Sequence, residues 1–462
     1  MIKKNNHIKT ILLNSWDLKA NHLGELVIGG CSAIHLSNYY GTPLHVVNHE
    51  SLYRTAESFL ETVKSVYPGK ISVHFAFNCN PVPGIIKIIK TAGLKAEVMS
   101  EFELLLALKL GYTGREIVVN GPFKTDKLIS LCIENDIRFI NVDSLNELEQ
   151  INRICIHHGK DTDILLRINP DYIPSGINKG SATADRSKSL FGLDMKGGEV
   201  LQAFEQLKKM KRINFKGFHI HIGTGIQDTD AFKSAILKLK NSVRVAEECG
   251  YPVEVLNVGG GLGVPFSREM TKMELLWYQT FDHIASNSLP NKDVSFKKFA
   301  NSVTTGVKSL FDHKRYPELI FEPGRCISSQ NQLLLLNIHQ IKERKGIRKW
   351  IIANAGIGTL ATPTFYEHHE IFVCNDIYRN NSGKATLAGP GCLASDVIYR
   401  NIPMPEINPG EVIAIMDSGA YFTSRESNFG FPKPAIVSVF QGDHSLIRAR
   451  ETFDDMVSLD IF

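Results

Sequence analysis

From Leu44 onward the chain repeats one pattern: a short apolar run, a polar or glycine-rich loop, then apolar residues at helical spacing. The apolar runs Leu44–Val47, Ile71–Phe77, Ala96–Val98, Ile117–Val119, Arg138–Asn141, Ile164–Ile168, Phe215–Ile222, Val253–Val258 and Leu319–Phe321 predict strands. Helical periods separate them, as in Glu101–Leu110 and Ser144–His157, and Ser100 with Glu103 predicts a capping box for the first of these. Strands alternating with helices in this way imply a parallel sheet with crossover connections. Nine runs are one too many for an eight-stranded barrel, so Leu44–Val47 is read as a lead-in and the other eight as the closed barrel.

Past Gln330 the helical spacing disappears. Gln332–Gln340 alternates poorly, and Trp350–Ile352, Glu370–Val373, Val412–Met416 and Ile436–Phe440 read as strands with no regular helices between them. Residues 1–43 hold only short apolar pieces, such as Leu26-Val27-Ile28, broken by Gly24, Gly29 and Gly30. The expected fold class is α/β: an eight-stranded parallel (β/α) barrel over residues 44–330, plus a β-rich second domain. Chain ends often meet, so the second domain is assigned to residues 1–43 and 331–462 together.

The predicted strands end in polar or glycine-rich loops: Asn78-Cys79-Asn80, Met99-Ser100, Asn120-Gly121-Pro122, Val142-Asp143-Ser144, Asn169-Pro170, Gly223-Thr224-Gly225, Gly259-Gly260-Gly261 and Glu322-Pro323-Gly324-Arg325. In a barrel these loops converge on one face, where active sites sit. The opposite loops, such as Lys95 and Gly114-Arg115, show no comparable cluster. Asp171–Arg186 is a long polar insert at the same mouth and predicts a mobile lid.

Composition narrows the class. The 462 residues have ordinary hydrophobic content and a formal net charge of +4, with Lys and Arg scattered, so nothing points to nucleic acid. Ile11-Leu12-Leu13 is too short for a signal peptide or a membrane span. The eight cysteines include no CxxC pair, which fits reduced thiols and a cytoplasmic location. His219 and His221 share one face of a strand but lack a third ligand at suitable spacing, so no metal is expected.

Candidate chemistry starts at Leu256–Phe266, LNVGGGLGVPF, where a strand runs into Gly259-Gly260-Gly261. Bare backbone N–H groups there suit an anion such as a phosphate; a tight strand–helix turn is the equally good alternative. Arg325 beside Gly324 offers a fixed fork of donors to a phosphate. Glu322, three residues earlier, is a buried-carboxylate candidate or the partner of Arg325 in a structural pair.

Together these residues carry a resemblance. In order, HIHIGTG (His219–Gly225), NVGGGLG (Asn257–Gly263), EPGRCIS (Glu322–Ser328), GPGC (Gly389–Cys392) and DSGAY (Asp417–Tyr421) resemble the pyridoxal-phosphate decarboxylases of the ornithine/diaminopimelate type. NPVPG, SEFELLLALKLG, NGPFK and NVDSLNEL extend the match upstream, so it covers roughly the whole chain. The resemblance implies an α/β barrel with a β domain from both chain ends, and a carbon–carbon lyase acting on an amino acid. It implies that Thr224, Gly261, Gly324, Arg325 and Tyr421 hold the cofactor phosphate. His221 would stack on the pyridine ring, and Glu322 would face its nitrogen. Glu97 stands where the family has an acidic residue near the cofactor. Cys392 would reach the partner subunit's site as proton donor, which implies a dimer.

One departure matters most. Phe75-Ala76-Phe77-Asn78-Cys79-Asn80 fits the family's Tyr/Phe-Ala-x-Lys-x-Asn at every position except the lysine that makes the Schiff base, here Asn78. An amide nitrogen is not nucleophilic. Leu393 follows Cys392 where the family has an acid that reads the substrate's far amine, and Leu190 stands where a lysine is usual. Lys124, in the loop two strands later, is the nearest substitute amine and is read as a surface residue. Four readings follow: a decarboxylase using pyridoxal phosphate non-covalently; a binding or regulatory protein that pairs with an intact relative; a lysine altered to Asn78 by one base change; and an unrelated phosphate-binding barrel. The retained Glu322, Arg325, His221 and Cys392 favour the first two.

Overall fold

The computed structural model describes residues 12–177, 181–282, 294–313, 315–360 and 367–461. The chain forms two compact units. One comprises residues 55–265 and 291–326; the other comprises 1–54, 266–290 and 327–462.

The first unit is a closed barrel of eight parallel strands: β1 (Ile71–Ala76), β2 (Lys95–Val98), β3 (Ile117–Val119), β4 (Phe139–Val142), β5 (Thr162–Asn169), β6 (Ile213–His219), β7 (Val255–Asn257) and β8 (Glu318–Phe321). Each pairs with the next, and β8 closes on β1 through Leu319–Ile71 and Phe321–Val73. The strands are short apolar runs because crossover helices cover their outer side while side chains fill the inside. Val118, Phe139, Leu165, Val255 and Ile320, from five strands, make one buried cluster.

Local signals set the helices. Ser100 caps Glu101–Lys109 by accepting from the Glu103 N–H, and Ser144 caps Leu145–His158 through Glu147 in the same way. The reciprocal half of the predicted capping box differs. Glu103 and Glu147 each reach one residue further back, to the N–H groups of Met99 and Asp143. Both carboxylates thereby tie a strand end to its helix.

The end opposite the mouth is not bare, contrary to expectation. Ser72, His74, Arg138 and Glu318 form a buried polar cluster there, with Ser72 Oγ 2.6 Å from His74 Nε2 and Arg138 paired to Glu318. Ser72 and His74 lie on β1, Arg138 directly precedes β4 and Glu318 starts β8, so no local window shows them as a group.

In the second unit, Gln332–Arg344 is the central long strand. Its LLLL run alternates poorly because both faces are covered. Leu333 and Leu335 join a cluster with Leu13, Trp16, Leu18, Leu26 and Ile28, while Leu334 and Leu336 join another with Ile351, Tyr399, Ile413 and Ile415. Leu44–Asn48 is corrected here: it is no lead-in to the barrel. It pairs antiparallel with Gln332–Leu335 and parallel with Ala435–Val439, and all five of its residues are buried. The division at residue 44 therefore shifts to 54/55, and residues 266–290 also fall in this unit. Asn381–Ala388 and Val397–Pro405 add an antiparallel pair that the sequence did not announce. Among the described residues, no helix is long and apolar enough to cross a membrane.

Candidate active site

The C-terminal mouth of the barrel is built around Glu322, which directly follows β8 and is buried. Three strand-end asparagines arrange its hydrogen bonds. Asn257, closing β7, donates from Nδ2 to Glu322 Oε1 at 2.6 Å, while its own Oδ1 accepts from the Gly259 N–H at 2.9 Å. Asn120, just past β3, donates to Glu322 Oε2 at 3.0 Å and to Glu97 Oε1 at 2.8 Å. Asn141 in β4 donates to Asn120 Oδ1, which fixes which end of that amide faces the two carboxylates. His219, the last residue of β6, lies with Nε2 3.4 Å from Glu322 Oε2.

Burial pushes the Glu322 carboxyl up, but His219 and the Asn257 amide more than offset this and hold it below the usual carboxylate range. Glu97, on β2, goes the other way: burial and the neighbouring Glu322 charge push it well above that range. Burial holds His221 down to about 3. Its Nδ1 accepts from the Gly260 N–H at 3.2 Å, so the ring is neutral with its proton on Nε2. Arg167 on β5 is buried, paired with Asp143 at 3.3 Å and stacked 4.3 Å from the Phe191 ring.

The loops after β6, β7 and β8 interlock through glycine. A Cβ on Gly260 would sit 2.1 Å from Glu322 O, and one on Gly261 (φ +103°) would sit 2.0 Å from Gly223 O. A Cβ on Gly324 would lie 2.7 Å from Cys79 Cβ, so the loop after β8 lies against the turn that carries Asn78. Beyond Gly324, Arg325 is buried with Nε 3.5 Å from Thr224 Oγ1. A guanidinium, a hydroxyl and close-packed backbone form an anion-binding set.

Asn78 lies in the single turn Phe77–Cys79 after β1. Phe77 and Cys79 bury their side chains, so Asn78 between them is left half-buried, with Nδ2 3.8 Å from Met99 Sδ. Lys124 is not a surface residue. Its side chain is fully buried, Nζ lies 2.5 Å from Glu147 Oε1, and it donates to the carbonyls of Gly121 and Asn141. An amine engaged by a carboxylate and two carbonyls is not placed to act as a nucleophile.

The described part of the Asp171–Arg186 insert is tied down: Thr183 Oγ1 donates to His221 O at 2.7 Å, Arg186 pairs with Asp194 and Lys196 with Asp171. Residues 178–180 of the expected lid lie outside the described residues. Thus Glu97, His221, Thr224, Gly261, Glu322, Gly324, Arg325 and Asn78 all stand on loops or strand ends at one barrel mouth. Cys392 and Tyr421 belong to the other unit. Cys392 is exposed; Tyr421 has φ +65°, with the Arg425 guanidinium 5.1 Å over its ring. The sequence reading missed Asn120, Asn141, Asn257 and Arg167. An asparagine repeated at strand ends was the available signal.

The model of the pyridoxal-dependent decarboxylase, pyridoxal binding domain, matches residues 52–329. The diaminopimelate decarboxylase of Methanocaldococcus jannaschii is 31% identical over 443 residues, 95% of each chain. That of Bacillus subtilis is 28% identical over 457 residues, 96% of this chain and 97% of the other. A crystal structure of the M. jannaschii enzyme superposes with a TM-score of 0.84 at 29% identity, covering 98% of this chain and 99% of that one. With the domain model matching more than half of its length, this chain belongs to the pyridoxal-dependent decarboxylase family.

Proposed function

We propose that this chain is a diaminopimelate decarboxylase-type protein that holds pyridoxal phosphate and an amino acid at the barrel mouth with no covalent bond between cofactor and protein. The observation that carries this reading is the Glu322 network. A buried carboxylate kept ionised by two amides and a histidine suits a protonated ring nitrogen. The donor set fits the rest of the group. Arg325 and Thr224 supply cationic and hydroxyl donors for its phosphate, and the half-buried neutral ring of His221 supplies a flat face. The amine for a covalent link does not fit: Asn78 carries an amide, and Lys124 is engaged by Glu147.

When bound, the cofactor supplies an electron-withdrawing ring that stabilises charge at an amino acid's α-carbon. Glu322 keeps the ring nitrogen's proton in place, Arg325 and Thr224 anchor the phosphate, and His221 limits tilt. Cys392, an exposed thiol of the other unit, serves as proton donor to the mouth of a second copy, so the working form is a dimer. Asn78 favours a second reading, a protein that holds these ligands without turning them over.

One assay separates the two. Purified protein is titrated with pyridoxal phosphate by absorbance, then with amino acids while carbon dioxide release is followed. Reversible binding with carbon dioxide release supports the decarboxylase. Binding with release only in Asn78→Lys supports the binding protein. No retained cofactor on equilibrium dialysis contradicts both.

A further inference from the structure

Glu97 and Glu322 share one donor group. The Asn120 amide nitrogen gives one hydrogen to Glu97 Oε1 and the other to Glu322 Oε2, at 2.8 and 3.0 Å. Two carboxylates on one amide, each about 5% exposed or less, sit too close in too dry a space for both to ionise. Their surroundings are unequal. Glu322 has two amide donors and His219. Glu97 has the shared Asn120 amide as its hydrogen-bond partner among the described residues, through Oε1, and Oε2 is left over.

The other charged groups do not alter the balance. Arg167 is matched by Asp143 at 3.3 Å. Lys124 is matched by Glu147. His221 and His74 are neutral at physiological pH, both held down to about 3 by burial. Glu103, itself buried, would add a further like charge.

We propose that Glu97 and Glu322 hold a single proton between them, carried on Glu97 Oε2. The end of β2 then offers a hydrogen-bond donor to a ligand oxygen, while Glu322 offers the charge. A mouth with a covalent lysine has an ammonium at hand; here a neutral carboxylic acid keeps the negative charge to one. Glu97 on this account is a positioning residue. It takes an acceptor oxygen of the ligand, such as a carboxylate or phenolate, and rejects an ammonium.

The proposal rests on the cofactor-site reading only for its location, and its test needs no cofactor, so the two can fail separately. Infrared difference spectra of the full-length protein without cofactor, with carbon-13-labelled glutamate, are followed from pH 5 to 9. The carbonyl stretch of a protonated glutamic acid is expected to persist above pH 8 in the wild type. It should vanish in Glu97→Gln and survive in Glu103→Gln, because Glu103 itself is pushed up to about 7. Burial alone would leave Glu97 indifferent to its neighbour. In Glu322→Gln the Glu97 midpoint should therefore fall by about one pH unit or more, because a like charge is removed. This arm stands even if Glu97→Gln fails to fold. A wild-type spectrum with no protonated carboxyl above pH 8, or a midpoint unmoved in Glu322→Gln, overturns the proposal.

Discussion

At the residue scale, Arg325 has the clearest individual consequence. It is a buried cation beside a hydroxyl, suited to a phosphate that would bind it through two charge-assisted hydrogen bonds. Arg325→Ala should weaken pyridoxal phosphate binding by about 1.5–3 kcal/mol, roughly ten- to a hundredfold in Kd, by calorimetry. Equal affinity in the two proteins would show that the phosphate sits elsewhere. Arg325, Glu322 and His221 were legible because each sits in a short motif whose neighbours restrict the chemistry. Asn120 was not. Its partners stand 23, 202 and 21 residues away, and only closure of the barrel brings Glu97, Glu322 and Asn141 to one amide. Lys124 was misread for the same reason. A lysine in a polar loop looks exposed until the helix Leu145–His158 places Glu147 against it.

At the element scale, β1 shows how a strand can carry a pH dependence. His74 is buried between Ser72 Oγ and the Ala96 carbonyl, 3.0 Å from Nδ1. Burial holds it to about 3, against an ordinary 6.5. Between those values the unfolded chain binds a proton that the native state does not, so stability falls as pH drops below about 6.5. His45 and His221, also held to about 3 by burial, act in the same direction; Glu97 and Glu103, pushed up by burial, oppose it. Urea unfolding should give a lower stability at pH 5 than at pH 7, and His74→Asn should shrink that loss by about 2 kcal/mol. An unchanged difference would mean that His74 is protonated in the native state. The barrel strands were legible because each is a local apolar run with a polar end. Leu44–Asn48 reads identically, yet its partners Gln332–Leu335 and Ala435–Val439 lie almost three hundred residues or more away. Pairing, not pattern, assigned it to the β-rich unit.

At the scale of the whole molecule, two features ask for a partner copy. Phe102, in the first turn of the helix after β2, and Phe123 and Leu190, in the loops after β3 and β5, are each 69% exposed or more, and the other unit exposes Cys392 and Leu393. Apolar groups on a barrel mouth are costly in water and are commonly covered by association. Sedimentation at micromolar concentration should give a dimer; a monomer with and without pyridoxal phosphate would contradict the assignment of Cys392 to a neighbouring mouth. The central claim, a cofactor held without a covalent bond, is tested most directly by borohydride reduction of the loaded protein followed by peptide mass spectrometry. The wild type should yield no pyridoxyl-lysine, while Asn78→Lys should yield one at position 78. A reduced pyridoxyl group on Lys124, or on any other lysine of the wild-type protein, would contradict it.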